Sequence, residues 1–125
     1  MSKAELLART KDFALRIPSL VDHLPRTMSG RAIGSQLVRC GTSIGANYRA
    51  ARRSRSRAEF AAKLWIVAEE ADETVYWLEL LRDGNLLSEA KLSGLLQEAN
   101  EQTAIFTAGR RSSSGNQTSN FKPQT

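Results

Sequence analysis

Five arginines, Arg49, Arg52, Arg53, Arg55 and Arg57, fall within the nine residues "RAARRSRSR" with no acid among them. Guanidinium groups grip phosphate oxygens through paired N–H donors, so the block reads as a contact surface for RNA or DNA. Contacts of that kind give affinity and salt dependence without reading the bases. A plainer reading also applies: cations at a helix end complement its dipole and solvate well. Five guanidiniums without an interleaved carboxylate exceed what that role requires.

The glycine-rich segment before the block, "GTSIGAN", invites comparison with a phosphate-binding loop. It lacks the G-K-[ST] ending and the preceding strand that shape such a loop, and it does not match G-x-G-x-x-G. Gly34, Gly41 and Gly45 instead fall along one side of a helix. Missing side chains there let a second helix approach closely, which offsets the roughly 1 kcal/mol that each helical glycine costs. Di-metal bundles use Glu-x-x-His pairs, whereas His23 is the sole histidine and no acid-x-x-His spacing occurs. No metal or cofactor is expected, and His23 reads as a residue of a helix C-terminal turn. Cys40 lies on an apolar stripe and reads as a buried, inert thiol. Thr42 and Ser43 have no identifiable base, so no catalytic residue emerges and the chain reads as non-enzymatic.

Other polar residues read as structural. The Asn47 amide, one turn beyond Ser43, is expected to be part-buried and to tie its helix to a neighbour. Arg39 is expected to face Asp72 or Glu73.

The elements that carry these residues are all helical. A chain of 125 residues suffices for one domain with one core. The net charge is +5, which favours an acidic partner. The lone cysteine fits a reducing cytoplasm, and "MSKAELLARTKDF" has no apolar stretch of signal-peptide length. No apolar run reaches the roughly 20 residues of a membrane span.

Leu6, Thr10, Phe13, Ile17, Leu20 and Leu24 step by three and four, predicting a first helix from about Ser2 or Lys3 to Leu24. Pro18 predicts a kink or a restart within it. A second helix runs from Thr27 or Ser29 to about Ala51, with Ile33, Leu37, Cys40, Ile44 and Tyr48 inward. "SRAE" is a capping box that opens a third at Ser56, and Gly84 closes it as the C′ residue. Ser88 caps a fourth, with Leu87 and Leu92 as a hydrophobic staple and Gly109 as its end. The prediction is an all-α, antiparallel up-down-up-down four-helix bundle over 1–108, followed by a disordered polar tail over 109–125.

The third helix carries more apolar surface than one stripe needs. Trp65, Tyr76 and Trp77 either belong to a central helix or pack a neighbouring subunit.

The segment "LVRCGTSIGANYRAARRSRSRAEFAAKLWIVAEEADETVYWLELL" resembles the four-helix bundle family also called the 23S rRNA intervening-sequence protein family. The resemblance rests on Arg39, on the S-[IV]-x-x-N segment at Ser43, Ile44 and Asn47, on the basic link, and on the helix start at Glu59 and Phe60. "EEADETVYWLELL" resembles one branch of it, and the likeness extends over about residues 5–108. It implies a bundle that assembles as a homopentamer. Some members are encoded within inserts in 23S rRNA genes. A related group serves diversity-generating retroelements, binding nucleic acid and a reverse transcriptase through basic surfaces. The chain departs from the family where a glutamate often follows the asparagine by three residues, because Ala50 stands there. That change makes the patch more basic. The expected function is non-catalytic nucleic-acid binding through the five arginines. The alternative is an adaptor that binds another protein, such as a reverse transcriptase or a ribosome-associated factor.

Overall fold

The computed structural model describes residues 1–115 and is built from four helices: α1 (Lys3–Val21), α2 (Met28–Arg52), α3 (Arg57–Asp83) and α4 (Glu89–Gly115). Consecutive helices pack on one another, α1 closes the ring against α4 over the smallest contact, and the Tyr48 and Phe106 rings, 5.2 Å apart, meet across the diagonal between α2 and α4. This is an all-α four-helix bundle, as the periodicity predicts. The arrangement brings the α2–α3 link to the same end as the start of α1 and the last turns of α4.

Side-chain oxygens set the helix starts. Ser2 and Glu5 form a complete capping box at α1, Glu5 N donating to Ser2 Oγ at 3.1 Å and Ser2 N to Glu5 Oε1 at 3.3 Å. Thr27 rather than Ser29 caps α2, accepting from Gly30 N at 3.1 Å. Ser56 caps α3 by accepting from Glu59 N at 3.1 Å. Leu87 packs on the core and Leu92 is buried, as a staple across the start of α4 requires.

Three predicted boundaries move. α1 runs through Pro18 without restarting, and stops at Val21 instead of Leu24. Ile17 and Leu20, buried on either side of the proline, hold that turn against the core. At the end of α3, Gly84 is the C-cap with φ −87°, and the left-handed residue is Asn85 at φ 57°. Leu86 N then bonds Leu81 O at 2.9 Å and Asn85 N bonds Arg82 O at 3.1 Å, a Schellman closure displaced by one residue. α4 continues through Gly109 to Gly115. The Arg110 guanidinium lies 3.9 Å from the centre of the Trp65 ring, so a contact with α3 outweighs the glycine stop signal. The predicted tail beyond Gly115 lies outside the described residues.

The core joins Phe13 and Ile17 of α1 to Leu37, Ile44 and Tyr48 of α2, to Val67, Leu78 and Leu81 of α3, and to Leu92 and Phe106 of α4. At the seam of α1 on α2, all three glycines of the small-residue stripe face α1. A methyl group added at Gly41 would stand 2.8 Å from Ile17 Cγ1, at Gly34 3.0 Å from Val21 Cγ1, and at Gly45 3.2 Å from the Thr10 carbonyl oxygen. The glycines are therefore packing devices.

Where α1 meets α4 the packing is thinner and a polar clamp takes over. Arg9 donates from Nε to Glu98 Oε2 at 2.6 Å and from Nη2 to Glu98 Oε1 at 3.0 Å, and also reaches Glu101 at 2.6 Å. Gln102, wholly buried, donates to the same Glu98 at 2.8 Å. Burial works to raise the Glu98 pKa, but its hydrogen bonds to Arg9 and Gln102 and the nearby arginine charges bring it below the ordinary glutamate value.

Candidate functional site

Tyr48 and Ala51 point into the core, and the 3.6-residue period then turns Arg49, Arg52 and Arg53 away from it. The link that follows is tightly made. Arg53 N bonds Ala50 O at 3.1 Å, Ser54 N bonds Ala51 O at 3.0 Å, and Ser56 begins the next helix. Ser54 is 1% exposed and anchors this corner, which leaves Arg53 and Arg55 in solvent.

Beside the corner lies a groove of about 970 Å³ between α1 and α2. Leu7, Ala8 and Ala14 from α1 and Gly45 and Ala46 from α2 give it an apolar lining. Its cations are Lys11, Arg49, Arg52, Arg53 and Arg55, and among the described residues no carboxylate lines it. The Ser54 hydroxyl is buried at this groove with no hydrogen-bond partner among the described residues. Such a site can hold an anionic ligand that also has apolar surface.

Four of the five sequence-predicted arginines thus share one groove. Arg57, the first residue of α3, is half-buried and does not line it. Arg52 also has a packing role, its guanidinium lying 5.4 Å from the Phe60 ring centre. Lys11 and the α1 side of the lining escaped the sequence reading. The signal was present, since Leu7, Lys11 and Ala14 recur at i, i+4 and i+7 as Thr42, Ala46 and Arg49 do on α2.

The structural polar set divides. Arg39 pairs with Glu73, as expected, and with Glu70 at 3.2 Å, while Asp72 is exposed with no part in the pairing. One helical turn separates Glu70 from Glu73 on the side facing α2, and Asp72 falls on the outer side between them. Trp77 Nε1 also donates to Glu73 at 3.0 Å, and these two hydrogen bonds hold the Glu73 carboxyl below its usual range. Asn47 does not reach a neighbouring helix: its Nδ2 donates to Ser43 O at 2.9 Å, one turn back along α2. Ser43 itself donates to Cys40 O at 3.3 Å, so both side chains satisfy their own helix.

Cys40 is fully buried, and burial pushes its thiol pKa up. His23 Nδ1 lies 2.9 Å from the Ser19 carbonyl oxygen at the C-terminal turn of α1. Among the described residues no group of three acidic, histidine or cysteine side chains converges on a common point. Of the three interface candidates, Trp65 and Tyr76 are exposed, at 45% and 54%, whereas Trp77 packs against the core. Ile66, at 43%, extends the apolar strip on the outer side of α3.

A four-helix bundle with a cationic, partly apolar groove between its first and second helices is the class these features define. The chain belongs to the 23S rRNA-intervening sequence protein family, which it matches over residues 2–108. Among solved structures it is similar to a protein of unknown function from the S23 ribosomal protein family of Bacteroides thetaiotaomicron. The two share 32% identity and a TM-score of 0.80, over 89% of this chain and 99% of that one. No curated protein matches the chain. Among the described residues no helix is long and apolar enough to cross a membrane.

Proposed function

We propose that the protein is a non-catalytic, cytoplasmic nucleic-acid-binding bundle whose groove between α1 and α2 receives the sugar-phosphate backbone of RNA or DNA. The observation that carries this reading is the convergence of Arg49, Arg52, Arg53, Arg55 and Lys11 on one groove free of carboxylates. Several guanidiniums elsewhere are matched by acids: Arg39 by Glu70 and Glu73, Arg9 by Glu98 and Glu101, Arg82 by Asp83. A lining that holds five cations and, among the described residues, no carboxylate draws polyanions. Arg57 adds to the surrounding field from the start of α3.

Fluorescence anisotropy with a labelled RNA strand at several salt concentrations tests this. Wild-type protein binds at low salt and weakens as salt rises. A variant with Ser at Arg49, Arg53 and Arg55 binds far less. Absence of binding at low salt, or equal binding by the variant, refutes the reading.

A second reading has its own support in the exposed aromatics Trp65 and Tyr76. In it, the outer side of α3 packs another protein chain, either a further copy in a homo-oligomer (a pentamer by family resemblance) or a partner protein. Multi-angle light scattering separates these outcomes, and a stable monomer removes self-assembly.

A further inference from the structure

The groove has two features that phosphate binding alone does not require. Its walls include the apolar side chains of Leu7, Ala8, Ala14 and Ala46, and the buried Ser54 hydroxyl lacks a partner among the described residues. A site that only tracks a phosphate backbone needs cations in solvent, and Arg53 and Arg55 already supply them. Apolar surface beside those cations is useful to a ligand that presents a flat, weakly polar face next to a phosphate. An unpaired nucleotide has that composition. A nucleotide within a duplex does not, because its face is covered by stacking and only its edges and phosphates are free.

Dimensions agree. The volume of about 970 Å³ lies at the upper end of the range for ligand pockets, roughly 300–1,000 Å³, and has room for more than one nucleotide. Packed helix axes lie about 8–10 Å apart, and a duplex is wider than its own major groove of roughly 12 Å, so a groove between two helices is too narrow to enclose one. A strand fits within it and a duplex can only lie across it.

We infer that the groove between α1 and α2 is a seat for single-stranded nucleic acid: an unpaired base lies against Ala8, Ala14 and Ala46, and its phosphate takes the Ser54 hydroxyl with Arg53 and Arg55. This rests on the nucleic-acid reading and deepens it, because the groove then selects unpaired strands over duplexes. The glycine seam contributes to the seat. Gly45 is held small by the Thr10 backbone, and the same lack of a side chain deepens the groove.

The test compares three labelled RNAs of equal length by anisotropy at one low salt concentration: a single strand, the same strand with abasic sugars, and a blunt duplex. The intact strand binds about tenfold or more tightly than either the abasic strand or the duplex. Ala46→Leu, at an exposed helical position, fills the seat and removes most of that preference. Ser54→Ala weakens the intact strand without lowering the unfolding midpoint, because no hydrogen bond within the described residues is lost. Equal binding of strand and duplex, or wild-type discrimination in Ala46→Leu, overturns this inference and leaves general nucleic-acid binding standing. If none of the three RNAs binds, both readings fail together.

Discussion

Replacing Gly41 with alanine separates two energies that normally act together. In a helix interior alanine is favoured over glycine by about 1 kcal/mol, whatever the surroundings. At Gly41 the new methyl stands 2.8 Å from Ile17 Cγ1, 3.2 Å from Cγ2 and 3.3 Å from Cδ1. Ile17 is wholly buried and cannot swing aside, so α1 must move away from α2. Overpacking of this kind costs about 1–3 kcal/mol. The net change at Gly41 is thus a loss of up to about 2 kcal/mol. Gly109 supplies the control, because a methyl there meets only Leu64 Cδ1 at an ordinary 3.8 Å. Gly109→Ala gains the propensity term without the clash. The difference between the two variants cancels the propensity and equals the clash alone, about 1–3 kcal/mol. Urea unfolding followed by circular dichroism measures both midpoints, at one protein concentration so that any assembly contributes equally. If Gly41→Ala is as stable as Gly109→Ala, the α1–α2 seam is not the tight contact described, and the packing account of the glycines fails.

Arg9→Ala removes the clamp between α1 and α4 and leaves Glu98 half-buried without its cation, which lowers stability by about 1–3 kcal/mol in the same urea assay. The carboxyls of Glu73 and Glu98 both have pKa values below those of an unfolded chain, so the unfolded state binds more protons as acid is added. Their stabilisation is fully present above the ordinary glutamate range near pH 4.3 and fades as pH falls through the lower folded values, so the urea midpoint declines on acidification. Arg39→Ala makes that decline shallower, since one of the hydrogen bonds that depress Glu73 is gone. Trp65→Ser together with Tyr76→Ser lowers the light-scattering mass if the outer side of α3 is a subunit interface, and leaves it unchanged if the protein is already a monomer.

The four helices were legible because each carries its apolar residues at three- and four-residue steps and starts at a Thr or Ser that can cap. The glycine stripe was legible for the same reason: one-sided spacing in a helix means contact with another helix. Boundaries set by tertiary contacts were not. Gly109 looks like a stop, but Arg110 over Trp65 continues the helix, and nothing local announces a ring on α3. Asn85 took the left-handed position expected near Gly84, because the Schellman bonds counted one residue later. Arg39 reached Glu73 as expected but chose Glu70 over Asp72, a distinction that depends on the rotation of α3 about its axis. The arginine block was visible as a cluster. Its groove was not, because five of its thirteen lining residues come from α1, whose Lys11 is some forty residues away and carries no motif.

The salt dependence of binding tests the central claim most directly. Each phosphate contact to a single strand contributes about −0.7 to the slope of log K against log salt. Replacing Arg49, Arg52, Arg53 and Arg55 therefore makes the slope shallower by up to about 3, while a variant in which Arg16 and Arg26 are replaced leaves it unchanged. If the wild-type slope survives loss of the four groove arginines, the groove does not hold the nucleic acid, and the proposed function is wrong.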